Sequence, residues 1–262
     1  MYKLSKIRFS KAKLLKYQHV RFSKLIPSIL TFLALVAGLN AIRFAMEDQW
    51  ELALIFIVSA AILDGLDGRI ARLLNATTSF GAELDSLCDF VNFGVAPGLV
   101  LYMWIFQNST IKLLGWVAVL FYIIAMGARL ARFNITFHDP QYLELYKKFF
   151  LGIPAPIGGI LLMIPIMLDL ELMSGYHIKS SAILVATYTL LVSFLVASRI
   201  PTPSIKTLSI KREYVWFVII SSSLLVTLLF IYPWHILPLL GGVYLCTIPL
   251  SYISAHRLKK IP

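Results

Sequence analysis

From Leu25 to Ala255 the chain is a succession of apolar stretches, each about 20 residues long, the length a helix needs to cross a bilayer. They run Leu25–Phe44, Trp50–Leu74, Phe80–Phe106, Ile111–Phe133, Gly152–Leu170, Ala182–Ser198, Tyr214–Ile231 and His235–Ala255. Several end in Tyr or Trp, as is usual at a membrane interface. This succession predicts an all-α fold: a polytopic integral membrane helical bundle of about eight transmembrane helices. Composition agrees, because 14% of residues are charged and 59% hydrophobic, against about 25% charged in soluble domains. The first stretch is long enough to span, unlike the short apolar core of a cleavable signal. Only Tyr232-Pro233-Trp234 separates the last two, a tight turn between antiparallel helices.

The basic residues set the orientation. Of 24 Lys and Arg, only Arg43, Lys112 and Lys179 fall in the odd-numbered connections. The others lie in the even-numbered connections and at the two ends. Basic loops are retained on the cytoplasmic side, so both termini are expected there, with an even number of spans. The net charge of +11 is therefore a topology signal, and no nucleic-acid partner is expected. Residues 1–24 carry Lys3, Lys6, Arg8, Lys11, Lys13, Lys16, Arg21 and Lys24 and no acidic residue. Leu4, Ile7, Phe9, Leu14, Leu15 and Val20 interleave with them, which predicts a basic amphipathic interfacial helix on an anionic membrane surface, the alternative being a flexible basic tail that only sets topology. Residues 1–24 thus read as a juxtamembrane segment and 25–262 as a single transmembrane domain. Cys88, Cys246 and the five histidines have no metal-ligand spacing.

The second span ends in LDGLDGRIARLL (63–74) and the third opens with FGAELDSLCDF (80–90). Four aspartates inside apolar helices are costly and mark function. Asp64 and Asp67 are three residues apart and Asp85 and Asp89 four apart, so each pair shares a helix face. The two helices form an antiparallel hairpin about Asn75–Ser79. Folding there sets Asp64 opposite Asp89 and Asp67 opposite Asp85, roughly 14–20 Å along the helix axis from the turn. The site is expected below the cytoplasmic surface.

Four carboxylates in a low-dielectric pocket repel one another, and Arg69 and Arg72 cannot neutralise them all. Two divalent cations can, and all-oxygen ligation favours magnesium, manganese or calcium. Two metals clamp the attacking and leaving oxygens in phosphoryl chemistry. Gly65, Gly68 and Gly81 lack side chains beside the acidic faces, which admits a phosphate or equally allows close helix packing. Arg72 can meet a phosphate with its planar fork.

Residues 64–89 read D-x-x-D-G-x-x-A-R, eight residues, then G-x-x-x-D-x-x-x-D. This resembles the signature of the CDP-alcohol phosphotransferase family at every signature position. The resemblance implies that Asp64, Asp67, Asp85 and Asp89 bind the metals, two Mg2+ or Mn2+ ions. It implies that Asp89 also takes the proton from the attacking hydroxyl. Gly68, Arg72, Thr78 and Gly81 would line the nucleotide and CDP-lipid site. An upstream P-N-x-x-T element of the family resembles Pro27-Ser28-Ile29-Leu30-Thr31, with serine in place of asparagine and Thr31 as the nucleotide-site residue.

A narrower resemblance extends over GAELDSLCDFVNFGVAP (81–97), RLARFN (129–134) and FFLGIPAPIGG (149–159), which are similar to bacterial type II phosphatidylserine synthases. It implies CDP-diacylglycerol and L-serine as substrates, membrane lipids as surroundings, a homodimer, and a bacterial inner (cytoplasmic) membrane with the active site facing the cytoplasm. Eight spans fit that subfamily. An amino-acid acceptor needs partners for its carboxylate and ammonium. Arg129 and Arg132, three apart at the end of the fourth span, can meet the first, and Glu83 the second, although all three also serve as topology or ion-pair charges. Asn92 and Asn134 are polar groups in apolar surroundings and candidates to orient substrate. Gly152-Ile153-Pro154-Ala155-Pro156 reads as a helix break or a helix start. The competing readings are a sibling transferase using glycerol 3-phosphate, an inositol phosphate or choline, and a divalent-cation transporter. A transport path would spread its polar groups through the depth of the membrane, whereas these cluster at one hairpin.

Overall fold

The computed structural model describes residues 25–136, 149–171, 181–203 and 212–258. The basic segment 1–24 and its expected helix lie outside them. Eight helices run through the described residues: α1 (Ile26–Met46), α2 (Trp50–Leu73), α3 (Ser79–Phe106), α4 (Lys112–Thr136), α5 (Ala155–Glu171), α6 (Ala182–Ala197), α7 (Val215–Ile231) and α8 (Pro233–Leu258). In hydrocarbon a backbone must satisfy its own hydrogen bonds, and helices do so. Four stretches are long and apolar enough to cross a membrane: α1, α3, Lys112–Ile135 and Arg212–Ile231. Helix α2 has 24 residues, enough for a crossing, but carries Glu51, Asp64, Asp67, Arg69 and Arg72.

The hairpin expected between the second and third spans is present. Asn75 takes a left-handed conformation with φ 48°, which asparagine tolerates better than most residues. Thr78 is extended and caps α3, its Oγ1 accepting from the Gly81 N–H at 3.0 Å. Helix α3 is not uniform. After Ser79–Asp89 it widens into a π-helical segment, Phe90–Val95, and again at Tyr102–Phe106. Pro97 explains the first widening. It has no N–H to give the carbonyl four residues back, Phe93, and its ring crowds that oxygen. The fully buried Tyr122 of α4 supplies the missing donor, its hydroxyl bonding the Phe93 carbonyl at 2.7 Å.

Helix α1 buries a small-residue stripe, Ala34, Ala37, Gly38, Ala41 and Ala45, and packs extensively on α2. A Cβ added at Gly38 would run into the buried Asn92 carboxamide of α3. Small residues are what bring helices close where lipid offers no hydrophobic drive. Helix α2 packs on the Phe90–Val95 and Ala96–Leu101 portions of α3 and scarcely on Ser79–Asp89. The two acidic helix ends therefore splay apart, and α1 lies against both.

One short ribbon departs from the all-helical expectation. Phe149–Leu151 and Pro201–Pro203 pair antiparallel, and the Gly152 N–H extends the ladder to the Ile200 carbonyl at 2.9 Å. Gly152 has φ 75°, a conformation glycine adopts freely. Helix α5 starts at Ala155, after Pro154, so the proline-rich stretch is a helix start. Segments of three residues carry no periodicity from which a strand can be read.

Candidate active site

The hairpin brings the acidic residues together. One oxygen each from Asp64, Asp67 and Asp85 lies within 4.8 Å of the others. The Asp64 and Asp89 side chains lie within electrostatic reach of each other across the hairpin, the pairing that the spacing predicts. Asp89 keeps its Oδ1 buried with no hydrogen-bond partner. Buried carboxylate oxygens normally have partners. A crowd of oxygens with one orphaned acceptor and no adjacent lysine is a donor set for a hard divalent cation. Among the described residues no ion pair joins Arg69 or Arg72 to an aspartate. The Arg129 guanidinium lies within electrostatic reach of Asp64 and Asp89.

A cleft of about 350 Å³ opens beside the cluster. Thr31, Asp67, Gly68, Arg72, Thr78, Gly81 and Asp85 line it, with Pro27 and Ser28. Every nucleotide-site residue expected from sequence thus borders one cavity. At Gly65 and Gly68 an added Cβ would meet nothing within 4 Å. Close helix packing is therefore not what requires glycine there, and Gly68 keeps the cleft wall bare. At Gly81 the nearest atom is the capping Thr78 Oγ1, 3.1 Å away.

The acceptor-side candidates separate. Arg129 donates through Nε to the Ile153 carbonyl, so it joins the acids to the loop preceding α5. Arg132 donates to the carbonyls of Ala197 and Ser198 at 2.9 and 3.3 Å. These are the orphan carbonyls at the C-terminal end of α6, where a cation is favoured. Glu83 is exposed and outside the cleft lining. Asn134 is paired with Ser86, donating from Nδ2 at 3.0 Å and accepting through Oδ1 at 3.2 Å. That bond ties α4 to the turn of α3 between Asp85 and Asp89. Sequence reasoning singles out Asn134 and misses Ser86, whose position between the two aspartates is the available signal. It also misses that the Thr31 hydroxyl bonds Asp67 Oδ2 at 2.6 Å.

The sequence profile described as CDP-alcohol phosphatidyltransferase matches residues 24–196, which spans α1 to the last turn of α6 and every residue of the cleft. A CDP-diacylglycerol–serine O-phosphatidyltransferase of Mycobacterium leprae is 37% identical over 238 residues, 89% of this chain and 78% of that protein. A protein of the same description from Helicobacter pylori is 33% identical over 223 residues, 84% of this chain and 88% of its own. One from Bacillus subtilis is 34% identical over 181 residues, 69% of this chain and 91% of its own.

Proposed function

The chain belongs to the CDP-alcohol phosphatidyltransferase family, and from that premise we propose that it transfers the phosphatidyl group of CDP-diacylglycerol to the hydroxyl of L-serine, giving phosphatidylserine and CMP. The observation that carries the reading is the meeting of Asp64, Asp67, Asp85 and Asp89 at the edge of the cleft that Gly68, Arg72, Thr78 and Gly81 line. The serine acceptor rests on the relatives, whose description names that reaction, and on the fit of Arg129.

In this reading Asp64, Asp67, Asp85 and Asp89 hold two divalent cations, Mg2+ or Mn2+, which supply positive charge at the transferring phosphate. Arg72 takes a phosphate oxygen with its fork, and Gly68, Thr78 and Gly81 shape the nucleotide side. The serine oxygen forms the new bond to phosphorus as the bond to the CMP oxygen breaks. Asp89 accepts the hydroxyl proton, a role for which its buried, unpartnered Oδ1 is suited. Arg129 receives the serine carboxylate. Arg132 holds the end of α6 beside it, and Glu83 stands at the rim for the ammonium.

The architecture follows the same reading. Residues 25–262 form one catalytic domain of eight spans with both termini in the cytoplasm, preceded by the basic segment 1–24. The protein is a homodimer in a bacterial inner membrane, its cleft open to the cytoplasm. The distribution of Lys and Arg supports that orientation. The test is an acceptor panel supplied with CDP-diacylglycerol to purified protein, with CMP release as the readout. Serine should be used in preference to glycerol 3-phosphate, inositol phosphate and choline. A preference for a phosphorylated acceptor would overturn the serine assignment and leave the transferase chemistry standing.

A further inference from the structure

Thr31 lies one turn into α1, facing α2 and the inner wall of the cleft. Its side chain is buried, with 6% exposure, as is that of Asp67, with 4%. The Thr31 Oγ1 is 2.6 Å from Asp67 Oδ2 and 3.0 Å from the Pro27 carbonyl. A hydroxyl has one proton, so it donates to one of these at a time. A separation of 2.6 Å is that of a hydroxyl donating to a carboxylate, the stronger, charge-assisted kind of hydrogen bond. The longer contact is the back-bond to the residue four earlier that threonine makes in many helices. Whenever Asp67 is ionised the proton belongs to Asp67, and the Thr31 hydroxyl is committed.

That commitment has a geometric consequence. Asp67 is the most buried member of the acidic cluster, and a bond from a different helix fixes one of its oxygens. Rotation of the carboxylate is restrained, which leaves its other lone pairs directed at fixed positions. Helix α1 is itself anchored, because it packs along α2 and its Gly38 abuts Asn92 of α3, so Thr31 and Asp67 cannot drift apart independently. Metal-binding carboxylates depend on partners of this kind, and loss of one weakens metal affinity about 10–100-fold.

We propose that Thr31 is a positioning residue for Asp67: its hydroxyl holds the carboxylate from α1 in the orientation that receives a divalent cation, and does not contact the nucleotide. The proposal rests on the reading of Asp67 as a metal ligand.

The experiment measures Mn2+ binding to the detergent-purified full chain without substrate, by the loss of the free-ion electron paramagnetic resonance signal. Affinity for CDP-diacylglycerol is measured separately at saturating Mn2+. Thr31→Val, which keeps the shape and removes the hydroxyl, should raise the Mn2+ dissociation constant at least about tenfold. Thr31→Ser, which restores the hydroxyl, should return it to within a few-fold of wild type. Neither should alter CDP-diacylglycerol affinity once metal is saturating. If the valine chain does not fold, Thr31→Ala takes its place, since it removes the hydroxyl without adding an apolar branch. Wild-type Mn2+ affinity in the hydroxyl-free variant, with weakened CDP-diacylglycerol binding, would overturn the proposal and make Thr31 a nucleotide contact. Asp67→Asn is the separate control: unchanged Mn2+ affinity there would remove Asp67 from the metal set, whatever Thr31 does.

Discussion

Withdrawing divalent cations should lower the melting temperature of the protein even with no substrate present. Three carboxylate oxygens lie within 4.8 Å of one another. At an effective dielectric constant of about 20, each ionised pair at that distance repels by about 3.5 kcal/mol, and three pairs by about 10 kcal/mol. Net folding stabilities are only about 5–15 kcal/mol, so an uncompensated cluster would consume most of the margin. A cation that binds the folded chain alone adds about 2.7 kcal/mol when present at a hundred times its dissociation constant. For a chain of this size that corresponds to about 5–10 °C.

The assay is thermal unfolding of detergent-purified protein, first in chelator and then along a series of Mg2+, Mn2+ and Ca2+ concentrations. The melting temperature should rise with each cation until it saturates. Asp85→Asn removes one of the three charges, which lessens both the repulsion and the affinity. That variant should melt higher than wild type in chelator and respond less to metal. Superimposable wild-type melting curves in chelator and in saturating Mg2+ or Mn2+ would refute the argument. They would mean either that no cation binds or that the cluster's charge is relieved in some other way.

The other predictions test the chemistry and its scaffold. Asp89→Asn should lower kcat by about 10²–10⁴ while CDP-diacylglycerol affinity stays within a few-fold, and excess metal should not restore the rate; rescue by metal would make Asp89 a ligand only. Arg129→Ala should raise the serine KM far more than that of CDP-diacylglycerol. Arg132→Ala should instead act on stability, because it frees the Ala197 and Ser198 carbonyls, and an equal KM effect from both would contradict the division of roles. Tyr122→Phe should cost about 1–3 kcal/mol by leaving the buried Phe93 carbonyl without a donor, read as a lower melting temperature; an unchanged melt would show that another group satisfies that oxygen.

The acidic hairpin was legible because its information is local. Spacings of three and four put each aspartate pair on one face, and their symmetry about Asn75–Ser79 fixed the cross-pairing that joins Asp64 to Asp89. Apolar runs gave the helices for the same reason. The supporting contacts were not legible because each depends on how remote helices dock. Thr31 meets Asp67 across 36 residues, Ser86 meets Asn134 across 48, and Arg132 reaches Ala197 across 65. A polar residue on an apolar helix announces that it needs a partner, but its own segment does not say which one. The widening of α3 was hidden in a different way. Pro97 signals a disturbed helix, yet a π segment instead of a break is possible here because Tyr122, on another helix, can satisfy the freed carbonyl.

The arrangement of α1, α2 and α3 explains why a hairpin alone would not make this site. Helices α2 and α3 are packed together where α3 is π-helical and beyond, but their acidic ends diverge. Divergence is needed, since the cleft of about 350 Å³ lies between them, and electrostatics favours it, since like charges face each other across the gap. Something must keep the ends from opening further. Helix α1 is the element that touches both, packing along α2 and against Ser79–Asp89. On the other side, α4 is fastened to α3 by the Asn134–Ser86 pair and by the bond from Tyr122 to Phe93. The acids are thus carried by two helices and held in register by two others. A change at Gly38 or Ser86, neither of which lines the cleft, should therefore alter metal affinity by shifting where the carboxylates stand.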